Sequence, residues 1–361
     1  MGLSKLSSDV SVLGQAGLDR PWLARNLPPA SWVIELKADV RSELEGVLDA
    51  AASGRRISLE DTAPAFSDLA RELSGELEYG RGFVVLRGLP ISDPAARALP
   101  DAILVDFLLT IGQSLGRPVP QTTDGALVSY ICDLGRDASS PLVRGHQTSA
   151  ELPFHCDRAD VIGLLCVRPA RQGGLSRLVS AVAVHDILQL ERPDLLEVLY
   201  QPFPQDRRGE EAPGQDSWAT LPIFARHEGR FVSRYIRRFI ESARRFDEAP
   251  KLTSRQLQAL DAIDEILVRP GIALDLDFQP GDLQLLNNST IWHARTAFSD
   301  SSETQGEARA GRLLLRLWLA PTNSRALPES FAPLYGCTEA GALRGGVWCD
   351  LSESADTRGG L

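Results

Sequence analysis

The segment IALDLDFQPGDLQLLNNSTIWHA, residues 272–294, contains three short apolar runs at 272–278, 282–286 and 290–294. Runs of this length and composition predict strands. Pro280-Gly281 fits a turn between the first two runs. Strands that follow one another at such short spacing favour an antiparallel sheet, because antiparallel neighbours can be joined by tight turns.

The rest of the chain extends this pattern. Further strands are predicted at residues 82–88, 127–131, 154–157, 161–167, 178–182 and 313–319. Helices are predicted at residues 31–52, 65–77, 101–116, 184–199 and 252–268, with 231–246 as a further candidate. Thr253 or Ser254 is the expected N-cap of the helix at 252–268. A parallel α/β sheet would need regular alternation of strands and helices, which is missing. The sequence therefore predicts a mainly β fold with helical decoration, built on a double-stranded β-helix (jelly-roll) core.

The 361 residues are enough for a large core and a simple division of the chain. We expect residues 1–80 to form an N-terminal arm and helices that pack on the barrel. Residues 81–335 are expected to form the jelly-roll domain, with a helical insertion at about 184–270. Residues 336–361 are expected to form a C-terminal tail.

Composition and charge exclude several classes of protein. The net charge of −10 argues against general nucleic-acid binding, which needs a basic surface. No apolar run reaches the roughly 18–20 residues that span a bilayer, and the first residues lack a secretory signal. Five cysteines without CxxC spacing favour reduced thiols. We therefore expect a cytoplasmic protein with a small-molecule substrate and no nucleic-acid or membrane partner. The sequence is compatible with a homo-oligomer.

The tripeptide His155-Cys156-Asp157 is followed at a distance by His293. In an extended strand the side chains at i and i+2 point to the same side, about 6–7 Å apart at Cα. His155 and Asp157 can therefore hold one ion together, while Cys156 faces away. Two imidazoles and one carboxylate are the ligand set of non-haem Fe(II) oxygenases. Zinc is the alternative metal, but an open set of nitrogen and oxygen ligands fits an oxygenase better than a closed tetrahedral site.

The strand predicted at 313–319 has two different faces. One face is wholly aliphatic and consists of Leu313, Leu315, Leu317 and Leu319. The other face consists of Arg312, Leu314, Arg316 and Trp318. Burying two guanidiniums on so apolar a strand is costly unless anions meet them, and Arg is suited to bidentate carboxylate recognition. The pattern favours an anion site, and ion pairs with the protein's own Asp or Glu are the alternative.

Together these motifs resemble the taurine dioxygenase-like (TauD/TfdA) family of Fe(II)/2-oxoglutarate-dependent oxygenases. The resemblance rests on four blocks in order: Phe154-His155-Cys156-Asp157, Gly173-Gly174-Leu175-Ser176, Asn287-Asn288 with Trp292-His293-Ala294-Arg295, and Arg312 with Arg316. It implies that His155, Asp157 and His293 hold the iron. It also implies that Arg312 and Ser176 bind 2-oxoglutarate, with Arg309 as the rival of Arg312. Arg316 then matches a position that grips an anionic group of the substrate.

Other polar residues have two interpretations each. Gln121 either lines the substrate pocket or is an ordinary turn residue. Arg295 is expected to brace its loop, and Asn287 and Asn288 are expected to hydrogen-bond backbone groups. The arginines between residues 234 and 245 are expected to form a solvated face, with an entry funnel for an acidic substrate as the alternative.

The resemblance implies a hydroxylase that uses O2 and 2-oxoglutarate and releases succinate and CO2. Its substrate is expected to be small and either anionic or amino-acid-like, with an unactivated C–H bond as the target. Asp157 disfavours halogenation, because halogenating relatives replace this carboxylate by a small residue. Desaturation or cyclisation by the same chemistry stays open. A non-catalytic metal-binding or ligand-binding barrel is the alternative of another class, and the sequence does not identify the substrate.

Overall fold

A computed structural model describes residues 19–55, 57–136, 145–300 and 311–349. The strands are β1 Val33–Glu35, β2 Phe83–Arg87, β3 Arg117–Pro118, β4 Val128–Ile131, β5 Leu152–His155, β6 Val161–Arg168, β7 Gln172–Gly173, β8 Ser176–Ser180, β9 Phe203–Asp206, β10 Trp218–Leu221, β11 Phe224–His227, β12 Arg230–Ser233, β13 Leu274–Leu276, β14 Leu283–Asn287, β15 Ile291–Arg295, β16 Phe298–Ser299 and β17 Leu313–Ala320. The α-helices are α1 Ala38–Ala52, α2 Leu59–Thr62, α3 Pro64–Tyr79, α4 Pro94–Arg97, α5 Asp101–Gln113, α6 Ala181–Glu191, α7 Pro193–Leu199, α8 Arg237–Ser242, α9 Ser254–Leu267 and α10 Ala332–Tyr335.

Two sheets form the core. The larger sheet has seven strands in the order β1-β2-β14-β6-β17-β3, with β4 paired to β17, and the smaller has the order β13-β8-β15-β5. Their pairings are antiparallel except for the parallel β1–β2 pair. Side chains from both sheets meet in one buried cluster that includes Phe83, Ile162, Leu178, Leu276 and Trp318. This arrangement confirms the predicted mainly β fold with a jelly-roll core.

Helices α1, α3 and α5 cover the outer face of the larger sheet. Strand β17 shows how its sequence separates the two faces. Its residues Leu313, Leu315, Leu317 and Leu319 pack in the cluster that contains these helices. Leu314 and Trp318 pack in the cluster between the sheets. The predicted two-faced strand is therefore confirmed, and the alternation of side chains places Arg316 on the inner face with Trp318.

The predicted helical insertion also contains strands. Helices α6, α7 and α9 pack with Phe203, Phe224 and Trp292, whereas β9–β10 and β11–β12 form two antiparallel hairpins. The predicted helix at 231–246 is wrong over 231–233, which belong to β12, and α8 begins only at Arg237. The reason is the Glu228-Gly229 turn, where both residues have positive φ (49° and 76°). A two-residue turn of this kind joins two paired strands.

Three other boundaries differ from, or refine, the sequence predictions. The helix predicted from residue 31 begins at Ala38, because β1 instead pairs with β2. The strand predicted at 154–157 ends at His155. Helix α9 has Thr253 as its N-cap in a reciprocal capping box with Gln256, as predicted for one of two candidates.

Part of the segment predicted as a C-terminal tail packs on the barrel. Val347 lies in the cluster between the sheets, and Arg344 Nε donates to both carboxylate oxygens of Asp160, at 3.0 and 3.1 Å. Residues 350–361 lie outside the described ranges. In the ranges that the structure describes, no helix is both long and apolar enough to cross a membrane.

Candidate active site

The structure brings His155, Asp157 and His293 together. His155, at the end of β5, is the direct cross-strand partner of His293 on β15, and the ring centroids lie 4.2 Å apart. Asp157 Oδ1 lies 4.0 Å from His155 Nε2. The ligating atoms of the three buried residues lie within 4.8 Å of one another. One ion can bridge atoms at this spacing, and the mixed N/O donor set fits Fe(II).

Hydrogen bonds fix which atoms of this cluster face inward. His155 Nδ1 lies 2.8 Å from the Pro153 carbonyl oxygen. Since that nitrogen then carries the proton, Nε2 keeps its lone pair for a metal. Asp157 Oδ2 accepts hydrogen bonds from Arg316 Nη1 and Trp318 Nε1, both at 3.0 Å. Oδ1 therefore stays available to the ion.

Asp157 lies beyond the end of β5, so its backbone is held by a hydrogen bond to an asparagine side chain and not by strand pairing. The Asp157 backbone N–H donates to Asn288 Oδ1 at 3.0 Å. Asn288 Nδ2 in turn donates to the Ala159 carbonyl oxygen at 2.8 Å. The predicted backbone contacts of Asn288 are confirmed, and they position the carboxylate.

The charges of the cluster suit metal binding. Burial alone would raise the pKa of Asp157, but the Arg316 guanidinium and then the His293 imidazole hold it well below its usual range. Burial lowers the pKa of His155. Burial and then the neighbouring His155 lower the pKa of His293 to about 3. An ionised carboxylate and two neutral imidazoles are the protonation states that metal ligation requires.

Cys156 points away from this cluster, as predicted. It is fully buried with the apolar residues of the insertion. Its Sγ accepts a hydrogen bond from the Tyr235 backbone N–H at 3.2 Å. Cys156 therefore anchors the insertion to the strand that carries His155.

Gln121 and Arg316 form a unit beside Asp157. Gln121 Nε2 donates to the carbonyl oxygens of Leu127 and Arg316, both at 2.7 Å. Its Oε1 accepts from Arg316 Nε at 2.8 Å. Arg316 thus already has a carboxylate partner within the protein, which leaves it fewer free N–H groups for a substrate anion.

A second group of polar residues lies between the sheets near Phe298. Ser176 on β8 and Arg295 on β15 are direct cross-strand partners and share a face. Ser176 Oγ donates to Gln284 Oε1 on the opposing sheet at 2.9 Å. The guanidiniums of Arg295 and Arg312 lie 4.8 and 5.1 Å from the centre of the Phe298 ring.

Several donors in this group have no hydrogen-bond partner in the described part of the chain. They are Arg312 Nη1, Arg295 Nε, Arg295 Nη1 and Gln284 Nε2, all buried. Burial lowers the pKa of Arg295 and of Arg312 to about 10. Buried cations with unmade hydrogen bonds are costly, and an anion would relieve that cost.

Two further contacts define the borders of this group. Arg295 Nη2 donates to the carbonyl oxygens of Thr148, at 2.7 Å, and Ala150, which confirms the predicted loop brace. A side chain at Gly174 would be crowded and strained, because its Cβ would lie 3.2 Å from Arg312 Nε and the φ of 72° is unfavourable for residues other than glycine. Arg309, the rival of Arg312, lies outside the described residues.

A cavity of about 780 Å³ opens beside the histidine–aspartate cluster. His155, Asp157, Gln121, Arg316 and Trp318 line its inner end. Arg312, Ser176 and His293 are not among its lining residues. The cavity extends to α8 and to the loop that follows β9. Arg237 and Arg238 of α8 therefore border the cavity.

Gln284 is the clearest residue that sequence reasoning missed. It is wholly buried between Leu283 and Leu285 on a central strand. A polar residue in an aliphatic strand is the signal that singled out Arg312 and Arg316. Gln284 is likewise a polar residue in an aliphatic strand, and this pattern predicts that its side chain also points into the space between the two sheets.

Comparisons with known proteins agree with this geometry. The family model described as Taurine catabolism dioxygenase TauD, TfdA family matches residues 43–318. The chain is 35% identical to FR-33289 synthase of Streptomyces rubellomurinus over 261 residues, which cover 71% of this chain and 74% of that protein. It is 29% identical to Taurine hydroxylase-like protein SAT17 of Stachybotrys chartarum over 273 residues, covering 72% of this chain and 68% of that protein.

Among solved structures, the fold is similar to that of an asparagine oxygenase in complex with Fe(II), 2S,3S-3-hydroxyasparagine and succinate. The TM-score is 0.59 at 19% sequence identity, and the match covers 80% of this chain and 93% of that chain. At this level of identity the likeness concerns the fold.

Proposed function

Because the chain belongs to the taurine catabolism dioxygenase TauD, TfdA family, we propose that it hydroxylates a C–H bond of a small anionic substrate at a single Fe(II) site. The protein is an Fe(II)- and 2-oxoglutarate-dependent dioxygenase that uses O2. The observation that carries the proposal is the cluster of His155, Asp157 and His293, of which His155 and Asp157 line a cavity of about 780 Å³. Succinate and CO2 are the expected co-products.

We assign the iron to His155 Nε2, Asp157 Oδ1 and the imidazole of His293. Arg316 and Trp318 hold the second oxygen of Asp157, so that the carboxylate meets the ion through one oxygen. When bound, the iron supplies the redox chemistry that involves O2 and 2-oxoglutarate, because amino-acid side chains alone cannot carry out that chemistry. The part of the protein is to orient the substrate and to exclude water.

We assign the distal carboxylate of 2-oxoglutarate to Arg312, with Arg295, Ser176 and Gln284 beside it. The two guanidiniums and the Gln284 amide have unmade hydrogen bonds, and a carboxylate would satisfy them. Arg295 extends the set that the sequence motifs identified. Its place opposite Ser176 in the sheet explains why it faces the same interior.

The substrate is the least defined component. The asparagine oxygenase that shares this fold makes amino acids one class to screen. Gln121 and Arg316 line the cavity next to Asp157, so we place the substrate beside them. Asp157 occupies the carboxylate position of the metal site, and we therefore expect hydroxylation rather than halogenation. Desaturation and cyclisation are distinguished from it by product mass.

The test is O2-dependent succinate formation by the full chain reconstituted with Fe(II) under anaerobic conditions. Amino acids, sulfonates, organic acids and phosphorylated compounds are supplied in turn, together with a reaction that contains no substrate. We expect succinate only when iron, 2-oxoglutarate and O2 are all present, and none from His293→Ala. If the wild type forms no succinate under any condition, the binding-barrel alternative is favoured instead.

A further inference from the structure

Three buried arginines on the cavity wall have no carboxylate partner within the described ranges. Arg207 and Arg208 follow β9, Arg234 follows β12, and each is less than a tenth exposed. Among the described residues, Arg207 donates to the carbonyl oxygens of Trp218, at 3.4 Å, and Pro333, at 2.8 Å. These contacts hold the side chain in place without compensating its charge.

The other two arginines have unmade hydrogen bonds. Arg234 Nη1 donates to the Cys156 carbonyl oxygen at 2.6 Å, while its Nε has no partner among the described residues. Arg208 Nε is likewise buried and without a partner there. The Arg208 guanidinium lies 5.2 Å from the centre of the Phe239 ring.

Several other buried arginines among the described residues pair with carboxylates. Arg325 contacts Asp19 at 3.0 Å and Glu78 at 2.9 Å, and Arg344 contacts Asp160 at 2.9 Å. The pairing offsets the cost of taking a guanidinium out of water. The cavity arginines lack such a partner among the described residues, as do Arg295 and Arg312 in the proposed 2-oxoglutarate site. An anion from outside the chain is the simplest compensation.

The backbone and the neighbouring side chains of this wall support the same conclusion. Gln205 is 2% exposed and lines the cavity, and neither its amide nitrogen nor its amide oxygen has a partner in the described part of the chain. The Asp206 carboxylate is already bound, to Arg245 Nε at 2.9 Å and to the Arg208 backbone N–H at 2.8 Å. Arg208 has φ of 62°, which is unfavourable for a residue with a side chain. Strain of this kind persists where the surrounding structure enforces it, often in binding sites.

The pKa values of the wall arginines show how far their positive charges are compensated. Burial lowers the pKa of Arg207. Burial and then the nearby Arg238 lower the pKa of Arg208. Burial acts to lower the pKa of Arg234 as well, but Cys156, Tyr335 and Asp157 outweigh it, so that this pKa is raised. Arg207 and Arg208 therefore carry the less compensated positive charge of the wall.

We propose that Gln205, Arg207, Arg208 and Arg234 form a subsite for a phosphoryl group, carried by the substrate as a phosphate monoester or a phosphonate. This inference rests on the proposed function, since it names the substrate class of the same cavity. A carboxylate has a single charge and is satisfied by one bidentate arginine. A phosphoryl group offers three acceptor oxygens and close to two negative charges, which suits several guanidiniums and an amide from different loops.

The subsite also explains how the substrate's anionic group can be bound although Arg316 already has partners within the protein. That residue was the sequence-based candidate for the substrate anion, yet it is bound to Asp157 and Gln121. The substrate's charge is instead held at the β9 wall. The C–H bond to be oxidised then lies between this wall and the metal ligands.

The experiment is calorimetric titration of the full chain, loaded with Mn(II) in place of iron, with methyl phosphate, methylphosphonate and acetate. We expect either phosphoryl probe to bind more than about tenfold more tightly than acetate, since charge-assisted contacts to several guanidiniums are strong. The phosphoryl probe that binds more tightly shows whether the substrate carries a phosphate monoester or a phosphonate. Enhanced ³¹P relaxation by Mn(II) should place the bound probe near the metal.

Arg208→Gln is the test variant, because the Arg208 side chain donates no hydrogen bond to the described protein. We expect it to weaken phosphoryl binding by about tenfold to a hundredfold, the range for losing a charge-assisted contact, with a melting temperature of the ligand-free protein no lower than that of the wild type. Arg208→Lys should recover part of the affinity. The matched control is Arg177→Gln, which removes an arginine that lines the same cavity but already pairs with Asp275 at 2.8 Å. It should bind the probes like the wild type.

Equal binding of acetate, or undiminished phosphoryl binding by Arg208→Gln, would overturn the subsite. If Arg208→Gln does not fold, Arg208→Lys decides: wild-type affinity then contradicts the proposal and reduced affinity supports it. Succinate formation without phosphoryl binding would refute the subsite alone. Phosphoryl binding by a wild type that never forms succinate would refute the oxygenase function and leave the subsite intact.

Discussion

Replacing Arg312 by Met should stabilise the protein without 2-oxoglutarate and leave it less stable than the wild type at saturating 2-oxoglutarate. Arg312 is 4% exposed and has no carboxylate ion pair among the described residues. Burial lowers its pKa from 12.5 to about 10, which corresponds to roughly 3 kcal/mol at 1.36 kcal/mol per pKa unit. At neutral pH the guanidinium is charged in both the folded and the unfolded chain. The cost is therefore fully present below about pH 10 and disappears between about pH 10 and 12.5.

The co-substrate should reverse the order of stability. A ligand at about 100 times its Kd adds roughly 2.7 kcal/mol to the free energy of unfolding. Losing a charge-assisted contact of about 1.5–3 kcal/mol weakens binding by roughly tenfold to 150-fold, so the variant gains little of that increment. Met keeps apolar contact with Phe298, so we expect a net gain of about 1 kcal/mol for the ligand-free variant, less than the full desolvation cost and less than the stabilisation by ligand that the variant loses.

The measurement is urea unfolding of the Mn(II)-loaded wild type and variant, with and without 2-oxoglutarate. Arg344→Met is the matched control, because this buried arginine is paired with Asp160. It should lose about 3–5 kcal/mol under both conditions. The reasoning fails if Arg312→Met is less stable than the wild type without ligand, or if 2-oxoglutarate stabilises both proteins equally. If Arg309→Met shows the reversal instead, the co-substrate contact belongs to Arg309.

Four further substitutions test the metal site and its surroundings. Asp157→Ala should abolish succinate formation and weaken Fe(II) retention in equilibrium dialysis, whereas Cys156→Ser, whose side chain points away from the cluster, should keep the iron. Asn288→Ala should cost about 1–3 kcal/mol in urea unfolding, because it leaves buried backbone groups near Asp157 without partners; a wild-type unfolding curve would contradict this role. Gln284→Leu should raise the 2-oxoglutarate concentration needed for half-maximal turnover by about three- to tenfold, as expected for losing a neutral hydrogen bond; an unchanged value would remove Gln284 from the co-substrate site.

The features that the sequence predicted are those encoded locally. The alternation of Leu with Arg and Trp in β17 is set by side-chain direction along a strand, and the structure places the aliphatic face against the helices. The capping box at Thr253 is likewise a contact between residues three apart. Such features depend on a few neighbouring residues and not on the rest of the fold.

The features that the sequence analysis missed arise from pairing between distant segments. Asp157 lies past the end of its strand, and its support comes from Asn288, which is 131 residues away. Spacing alone predicted the proximity of His155 and Asp157, but the reason offered, a continuous strand, holds only as far as His155. The hairpin that replaces the predicted helix at 231–233 depends on positive φ at Glu228, a residue that rarely adopts it.

Unsatisfied buried donors are the property that only three-dimensional structure reveals. In the sequence, nothing distinguishes Arg208 and Arg295 from Arg325 or Arg344. Once folded, the latter two meet carboxylates, whereas the former keep N–H groups without partners in the described part of the chain. Because an uncompensated buried charge is destabilising, each unpaired group is best explained by a ligand that completes it. The two groups of unpaired arginines, one beside Phe298 and one on the β9 wall, therefore favour two anionic ligands: the co-substrate and the substrate.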